Sequence, residues 1–325
     1  MSSIPNSSSH TKVKIFIDGQ AGTTGLDMRD RLLNSPYYQL LEIDHNDRKA
    51  AEARRALIDA ADIAILCLPD AAAREAVELA QDTNTRILDA STAFRVANDW
   101  AYGLPERSAN ARRQIGQAQH VSNPGCYPQG VILGLAPLIS AGWLASQAPI
   151  AVHALSGYSG GGNTLIERYE SLSAEEAPSF AARPYALGLT HKHLPEMQHY
   201  SGLESPPLFA PSVGAYYKGM LVSTTLPAGT LCRGKTPADV AALLGERYEN
   251  EPLVSVCDID EAAPDGYLDP TACNNTNRIE FFVTGNSTQT MLTARYDNLG
   301  KGAGGAALQN LNLMCGVPET HGLST

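Results

Sequence analysis

The alternation of strand-like and helix-like segments in the first ninety residues is what most constrains the fold. Residues 13–17 are β-rich, residues 19–25 contain three glycines, and residues 26–33 have a helical pattern. Strand-like and helix-like runs then alternate up to a strand over residues 86–89. Repeated β–α–β units form a parallel sheet that is covered by helices on both faces. We therefore predict an α/β fold with a doubly wound, Rossmann-type domain.

The glycine-rich turn follows the first strand and precedes the first helix, which is the context that a dinucleotide fingerprint requires. Glycine lets the backbone turn tightly and approach a pyrophosphate, while the helix N-terminus offers free N–H groups. Because glycine-rich turns are common, the GxxGxxG spacing gains its meaning from these flanks. We predict that the turn binds a dinucleotide, and the candidate residues are Gly19, Gly22, Thr23, Thr24 and Gly25.

The end of the second predicted strand, residues 40–44, bears on the choice between NAD and NADP. An acidic residue there binds the ribose 2′-hydroxyl of NAD, whereas arginine accommodates the 2′-phosphate of NADP. Arg48 and Lys49 favour NADP, while Asp44 or Asp47 would support NAD. Arg48 could also simply begin a solvated helix. We predict NADP as the cofactor, bound through Arg48.

A cysteine at a proline–glycine turn is the main candidate for catalysis. The segment Asn123-Pro124-Gly125-Cys126 forces a turn, and Pro128 suits the first turn of the helix that follows. Cys126 would then lie at a helix N-terminus, where the helix dipole and free amides lower the pKa of a thiol. The alternative is a buried structural cysteine, and we prefer that alternative for the other five cysteines. We predict that Cys126 is a nucleophile.

Two histidines that lie two positions apart, His191 and His193, are candidates for proton transfer. On an extended segment they would point to the same side, and imidazole exchanges protons near neutral pH. Glu196 could orient or tune one of them. A metal site is the alternative, but no third ligand occurs at a typical spacing, and we predict no metal. The spacing does not separate the two histidines, and we select His193 as the acid/base.

Two further segments are candidates for ligand binding. Arg95 follows a strand and a Ser/Thr-rich turn, so its planar guanidinium could hold a phosphate together with the side-chain amide of Asn123. The alternative for Arg95 is a surface ion pair. The glycine-rich segment 156–162, with Ser159 and Gly160, follows a strand and could lie beside the substrate and the cofactor. An ordinary hairpin loop is the alternative for this segment.

Taken together, the motifs resemble those of the N-acetyl-γ-glutamyl-phosphate reductases of arginine biosynthesis, in their shorter form. The resemblance extends along nearly the whole chain. It rests on the glycine turn and on residues 89–95 (DASTAFR), 102–106 (YGLPE), 123–128 (NPGCYP), 156–162 (SGYSGGG), 191–196 (HKHLPE), 297–303 (DNLGKGA) and 309–310 (QN). The chain departs from the longer branch around the glycine turn and in residues 160–190. The resemblance implies NADPH-dependent reduction of an acyl phosphate to an aldehyde, through a thioester on Cys126.

The resemblance also implies a second, α+β catalytic domain with a mainly antiparallel sheet, and a homodimer or homotetramer. We place the Rossmann domain at residues 1–125, completed by a C-terminal helix within residues 300–325, and the catalytic domain at residues 126–299. The resemblance further implies that Asn298 reaches the nicotinamide end of the cofactor.

Composition argues against several other classes of protein. The net charge of −10 comes without a basic stripe, which argues against a nucleic-acid surface. No apolar run is long enough to span a bilayer, and the polar residues 1–12 lack the apolar segment of a secretory signal. Six cysteines without a CxxC pair suit reduced thiols, and we predict a cytoplasmic enzyme.

Two alternative functions remain open from the sequence. The first is a related reductase that acts on aspartyl phosphate or aminoadipyl phosphate, because only the pocket residues would distinguish these substrates. The second is a non-catalytic NADP-binding regulator. Such a regulator would keep the glycine turn but would not need Cys126, the two histidines and Glu196.

Overall fold

The computed structural model describes residues 11–325, and residues 1–10 of the polar N-terminal segment lie outside the described residues. The first sheet has the strand order β2-β1-β3-β4-β6-β5, with parallel pairing throughout. Its strands are β1 (Val13–Asp18), β2 (Tyr38–Leu41), β3 (Ile63–Leu66), β4 (Arg86–Asp89), β5 (Ala101–Tyr102) and β6 (His120–Ser122). The helices in this half of the chain are α1 (Thr23–Leu32), α2 (Ala51–Ala60), α3 (Asp70–Leu79) and α4 (Ala111–Gln117), with a 3-10 turn at Pro105–Arg107.

Strand residues alternate between the two faces of a sheet, and in the first sheet the residues on both faces are apolar. Ile15 and Ile17 of β1 face one core, and Phe16 faces the other. All three side chains are fully buried, and burying a residue of this size contributes about 1.5–3 kcal/mol. The core around Ile15 also contains Leu308 and Leu311 from the last helix of the chain. The last helix of the chain thus packs on the first sheet.

The second sheet is mixed and mainly antiparallel, with the order β11-β12-β13-β10-β7-β9-β8. The pairings β11–β12 and β7–β9 are parallel, and the others are antiparallel. Its strands are β7 (Ala151–Gly157), β8 (Ala182–Pro184), β9 (Leu208–Gly214), β10 (Met220–Leu226), β11 (Val254–Val256), β12 (Ile279–Gly285) and β13 (Thr290–Tyr296). The predicted fold class is confirmed.

Helix α5 (Cys126–Ser140) packs on the second sheet and is buried along most of its length. Gly130 allows a close approach, because a Cβ on it would lie 2.9 Å from the Cβ of Ala294 on β13. The predicted domain boundary at residue 125 therefore lies between β6 and α5. The other helices of the second half are α6 (Asn163–Glu170), α7 (Leu194–Ser201), α8 (Pro237–Tyr248), α9 (Ile259–Ala262) and α10 (Gly305–Cys315), with short turns at Tyr158–Gly161, Ala177–Phe180 and Gly300–Gly304.

The structure differs from the sequence-based prediction at β2, which ends at Leu41 and does not extend to residue 44. The carboxylate of Asp44 accepts the backbone N–H of Asn46 at 2.9 Å. A local side-chain hydrogen bond of this kind favours a turn over a strand. Within residues 11–325, no helix combines the length and the apolar character needed to cross a membrane.

Candidate active site

A cavity of about 1080 Å³ connects the glycine turn with the N-terminus of α5. Gly22, Thr23 and Thr24 line one end, and residues 123–127 line the other. The glycine turn follows β1, and the strand order changes direction between β1 and β3. Ligands of doubly wound folds bind at such a switch point, outside the C-terminal ends of the strands. The volume is at the upper end of the range of about 300–1,000 Å³ that is usual for small-molecule sites.

The three glycines of the turn differ in what surrounds them. Gly19 has a φ of +92°, and a Cβ on it would lie 2.3 Å from the carbonyl oxygen of Cys67. A Cβ on Gly25 would lie 2.3 Å from the carbonyl oxygen of Gly19. At Gly22 the nearest atom would be 3.6 Å away, and Gly22 lines the cavity. Gly19 and Gly25 therefore shape the turn, while Gly22 leaves open the space in which a pyrophosphate fits.

The N-terminus of α1 points free donors at that space. The helix begins at Thr23, and its N-cap residue is Gly22, which has no side chain to accept the first amides. The first amides of a helix have no partner within the helix, and they attract phosphate. The hydroxyl of Thr23 donates to the amide oxygen of Asn163 on α6 at 2.9 Å, which links the turn to the second half of the chain. Thr24 lines the cavity. These residues fit the pyrophosphate of a dinucleotide.

The glycine-rich segment 156–162 forms another part of the cavity wall, which includes Ser159 and Gly160. Asn298 fixes this segment, because its amide nitrogen donates to Ser159 Oγ at 2.9 Å. Its amide oxygen accepts the backbone N–H of Gly219 at 2.8 Å. Asn298 also lines the cavity, but both ends of its amide already bind protein groups. Its contact with the nicotinamide stays a prediction.

Arg48 lies in the loop between β2 and α2, outside the cavity wall. Its Nε donates to the carbonyl oxygen of His45 at 3.2 Å, and its Nη2 contacts the His45 ring. The side chain is partly exposed. Since β2 pairs with β1 in parallel, this loop lies at the same edge of the sheet as the glycine turn.

Cys126 is the first residue of α5 and is partly exposed to the cavity. We expected the helix N-terminus to lower the pKa of its thiol. In the structure, burial raises the pKa of Cys126 to about 11, although Arg95 and the backbone N–H of Tyr127 act in the opposite direction. Burial outweighs them because a thiolate loses most of its hydration there. The resting thiol is therefore protonated at neutral pH, and its reactivity depends on a nearby proton acceptor.

His193 is buried at the turn that carries Cys126. A Cβ on Gly125 would lie 2.7 Å from His193 Nε2, so only glycine lets the ring approach this closely. Burial and then Arg95 lower the pKa of His193 well below its usual value. Burial also lowers the pKa of His191 to about 4. Both rings are therefore neutral at neutral pH and can accept a proton.

The contacts of the two histidines differ. His191 lines the cavity, and its Nδ1 accepts the backbone N–H of His193 at 3.2 Å. His193 Nδ1 is buried without a hydrogen-bond partner among the described residues. Within residues 11–325, no group of three or more His, Cys, Asp or Glu side chains is arranged to hold a metal ion.

Glu196 contacts the nucleophile's turn, and neither imidazole is among its hydrogen-bond partners. One carboxylate oxygen accepts Arg95 Nη1 at 2.7 Å. The other accepts the hydroxyl of Tyr102 at 2.7 Å and the backbone N–H of Gly125 at 3.0 Å. We expected Glu196 to orient a histidine, whereas its carboxylate accepts hydrogen bonds from Arg95, Tyr102 and Gly125. The carboxylate holds the turn before Cys126 in place.

The predicted phosphate ligands, Arg95 and Asn123, are largely engaged by the protein. Besides its bond to Glu196, Arg95 donates to the carbonyl oxygens of Asn123 at 3.0 Å and Ala90 at 3.2 Å. Asn123 donates to the carbonyl oxygen of Ala303 at 3.2 Å. Both line the cavity, and each keeps a further N–H for a ligand, since guanidinium has five and an amide has two. Their phosphate role stays a prediction, while their support of the turn is observed.

A buried ion pair beneath the site is missed by the sequence analysis. Lys301 Nζ donates to Glu106 Oε1 at 2.7 Å, and both side chains are fully buried. Gln309 also donates to Glu106 at 2.8 Å. The neighbouring Gly302 packs on the nucleophile, because a Cβ there would lie 3.1 Å from the Cβ of Cys126. Lys301 and Glu106 both occur in segments noted above, but a pairing across 195 positions leaves no local sequence signal.

Two family models match the chain. The model described as the semialdehyde dehydrogenase NAD binding domain matches residues 14–115. The model described as the semialdehyde dehydrogenase dimerisation domain matches residues 126–298.

Curated relatives are similar over almost their whole length. The N-acetyl-gamma-glutamyl-phosphate reductase 2 of Nostoc sp. is 47% identical over 320 residues, which cover 96% of this chain and 99% of the relative. The N-acetyl-gamma-glutamyl-phosphate reductase 2 of Pseudomonas putida is 44% identical, over 96% of this chain and 100% of the relative.

Solved structures with the same fold are more distant in sequence. Aspartate semialdehyde dehydrogenase II of Vibrio cholerae, complexed with ASA, has a TM-score of 0.71 at 14% identity and covers 94% of this chain and 98% of its own. Aspartate semialdehyde dehydrogenase with NADP from Candida albicans has a TM-score of 0.63 at 12% identity, with coverage of 94% and 98%. At these identities the likeness shows the fold alone. By its domain models and its curated relatives, the chain belongs to the semialdehyde dehydrogenase family and, within it, to the N-acetyl-gamma-glutamyl-phosphate reductases.

Proposed function

We propose that the protein catalyses the NADPH-dependent reduction of N-acetyl-γ-glutamyl phosphate to N-acetylglutamate 5-semialdehyde, with release of phosphate, in arginine biosynthesis. The names of its curated relatives support this substrate. One observation carries the chemistry. Cys126 begins α5 at the cavity, and the neutral ring of His193 packs against the same turn.

Cys126 forms the covalent intermediate in this proposal. Because burial keeps its thiol protonated, the proton must leave as the sulfur attacks the acyl carbon. His193 accepts this proton, since its lowered pKa leaves the ring neutral. The sulfur–carbon bond forms as the carbon–oxygen bond to phosphate breaks. The products of this half-reaction are a thioester on Cys126 and free phosphate.

The second half-reaction needs a nicotinamide cofactor, which the matched NAD binding domain supports. The glycine turn and segment 156–162 would hold it. When bound, the reduced nicotinamide supplies a hydride to the thioester carbon. His193 then returns its proton to the sulfur as the carbon–sulfur bond breaks and the aldehyde leaves. Glu196 and Arg95 keep the turn fixed throughout, so Cys126 stays aligned with the acyl carbon.

The preference for NADPH over NADH rests on Arg48. We expect Arg48→Ala to weaken NADPH binding about tenfold or more, the usual effect of losing a charge-assisted bond to phosphate, and to spare NADH. Titration of both cofactors by fluorescence would measure this. The matched control is Arg55→Ala, which removes an exposed arginine from α2. An equal loss for both cofactors would show that Arg48 does not read the 2′-phosphate.

Self-association in the cytoplasm is also part of the proposal. The match of residues 126–298 to a dimerisation domain supports a homodimer or a homotetramer. All six cysteines are free thiols in the structure, as is usual in a reducing compartment. Mass measurement in solution would distinguish the two assemblies.

The reverse reaction tests the substrate most directly. With NADP, inorganic phosphate and N-acetylglutamate semialdehyde, we expect the protein to reduce NADP at a measurable rate. Aspartate semialdehyde and N-acetylaminoadipate semialdehyde are the comparison substrates. They correspond to the two alternative acyl phosphates, and aspartate semialdehyde dehydrogenases share the fold. A higher kcat/KM for either comparison semialdehyde would show that the corresponding acyl phosphate is the substrate of the forward reaction.

A further inference from the structure

The turn at Gly300–Gly304 lies directly behind the nucleophile. It is a π-helical turn, in which the backbone N–H of Gly302 donates to the carbonyl oxygen of Asp297 at 2.9 Å. Turns of this kind are rare and occur frequently at functional sites. A Cβ on Gly302 would lie 3.1 Å from the Cβ of Cys126, so the backbone of the turn packs against the nucleophile. The position of the turn therefore sets where the side chain of Cys126 can lie.

Two side-chain hydrogen bonds attach the turn to the segment that contains Cys126. Gln129, in the first turn of α5, donates its Nε2 to the carbonyl oxygen of Lys301 at 2.7 Å. Asn123 donates its Nδ2 to the carbonyl oxygen of Ala303 at 3.2 Å. Both side chains are buried, which strengthens these bonds because the local dielectric constant is low. The turn is thus attached to the nucleophile's segment on both sides of the cysteine.

The side chain of Lys301 attaches the same turn to the first half of the fold. Its ammonium donates to Glu106 Oε1 at 2.7 Å and also to the side-chain oxygen of Gln309. Glu106 belongs to the 3-10 turn at Pro105–Arg107, and Gln309 belongs to α10, which packs on the first sheet. Lys301 therefore links the backing of the nucleophile to the half of the fold that contains the glycine turn.

The burial of Lys301 and Glu106 limits what this ion pair can do. Both side chains are fully buried, and neither lines the cavity. The pair therefore acts on the reaction only through the turn that it holds. Removing two charges from water costs about as much as their attraction returns, so a buried ion pair contributes little net stability compared with apolar packing. It does restrict Lys301 to one hydrogen-bonded geometry.

We propose that Lys301 is a positioning residue. Through Glu106 and Gln309 it holds the turn at Gly300–Gly304 against Cys126, and this contact aligns the sulfur with the acyl carbon and with the cofactor. The assignment rests on the proposed function, in which Cys126 is acylated and its thioester carbon then receives a hydride. Both steps depend on alignment, and a displacement of about 1 Å can lower a rate about a hundredfold.

Replacing both members of the ion pair tests this role without leaving an unpaired buried charge, which would be strongly destabilising. We expect Lys301→Met/Glu106→Gln to fold and to lower kcat about ten- to hundredfold, while the KM for the acyl phosphate and the Kd for NADPH stay within about twofold. Phosphate release in a single turnover without NADPH should slow as well. A loss of stability alone would not separate kcat from KM in this way.

Gly302→Ala is a second variant, and it leaves the ion pair intact. Its methyl group would meet the Cβ of Cys126 and the carbonyl oxygen of Asp297, each at 3.1 Å, so the turn and the nucleophile must move apart. We expect the same fall in kcat with unchanged KM. Alkylation of Cys126 by iodoacetamide needs no substrate, and it should slow in both variants because the sulfur moves away from His193, its proposed proton acceptor.

Arg295→Met/Glu280→Gln is the matched control. It removes another buried ion pair, at 2.7 Å between β13 and β12, whose members lie outside the cavity wall. Thermal melting would compare its stability with that of the double variant at Lys301 and Glu106, and the control should keep the kcat and the alkylation rate of the wild type.

The outcomes separate this assignment from the proposed function. If wild-type protein does not reduce the acyl phosphate, the proposed function is wrong, and alkylation of Cys126 still tests the role of Lys301. If the double variant does not fold, Gly302→Ala decides whether the turn positions the nucleophile. Wild-type alkylation rates in the folded variants, an unchanged kcat in active enzyme, or an equal loss in the control would overturn the positioning role.

Discussion

Replacing Cys126 with serine is expected to abolish reductase activity, with a loss on the order of 10⁴-fold or more. A hydroxyl is hardly ionised at neutral pH and is a poor nucleophile towards an acyl phosphate. The side chain keeps its shape, so NADPH and the substrate should still bind. Steady-state rates together with cofactor titration would measure both effects.

The same residue should carry the acyl group. When wild-type enzyme is incubated with acyl phosphate and no NADPH, mass spectrometry should find the acyl mass on the peptide that contains Cys126. Cys232→Ser, which changes an exposed cysteine, is the control and should retain full activity. Activity in Cys126→Ser, or an acyl group on another cysteine, would remove the basis of the thioester mechanism.

The second large effect is expected at His193. His193→Asn should lower turnover by roughly 10²–10⁴-fold, the usual contribution of a positioned acid/base. The variant should fold and bind NADPH, which melting and titration would verify. His199→Asn, on the helix α7 that follows His193, is the control, because His199 is exposed and outside the cavity wall. A larger loss in His191→Asn would move the acid/base role to His191.

The pH profile gives an independent test of His193. Its pKa is lowered well below the usual value of about 6.5, so the ring stays neutral as the pH falls through 6.5. The rate of thioester formation should therefore remain constant down to that pH and decline only below it, as the base becomes protonated. A decline centred near 6.5 or above would mean that a different group accepts the proton.

The sequence predicts the fold well because local patterns determine it. The βαβ rhythm of residues 13–89 and the position of Cys126 at a helix start both follow from residues that are neighbours in the chain. Boundaries are less predictable. Asp44 could extend a strand or begin a turn, and the choice depends on its side-chain hydrogen bond to Asn46.

The electrostatics of the site depends on contacts that are distant in sequence, so patterns alone could not predict it. In the sequence, Glu196 is close enough to His191 and His193 to be considered as a hydrogen-bond partner of either. Its partners instead are Arg95, Tyr102 and Gly125, which lie 71 to 101 positions away. The pKa of Cys126 shows the same limit. Its helix position favours a thiolate, but burial opposes the charge, and part of that burial comes from residues as distant in the chain as Gly302.

Synthesis of the chain from its N-terminus delays completion of the first core. Ala307, Leu308 and Leu311 of α10 cover the face that contains Ile15 and Ile17. Ribosomes add about 5–20 residues per second, so roughly ten to forty seconds pass between the end of the Rossmann segment and α10. During that time the strands of the second sheet are synthesised, while the contribution of α10 to the core around Ile15 and Ile17 is still missing. The domain that is made first is thus completed last, when α10 adds its apolar side chains to the core around Ile15.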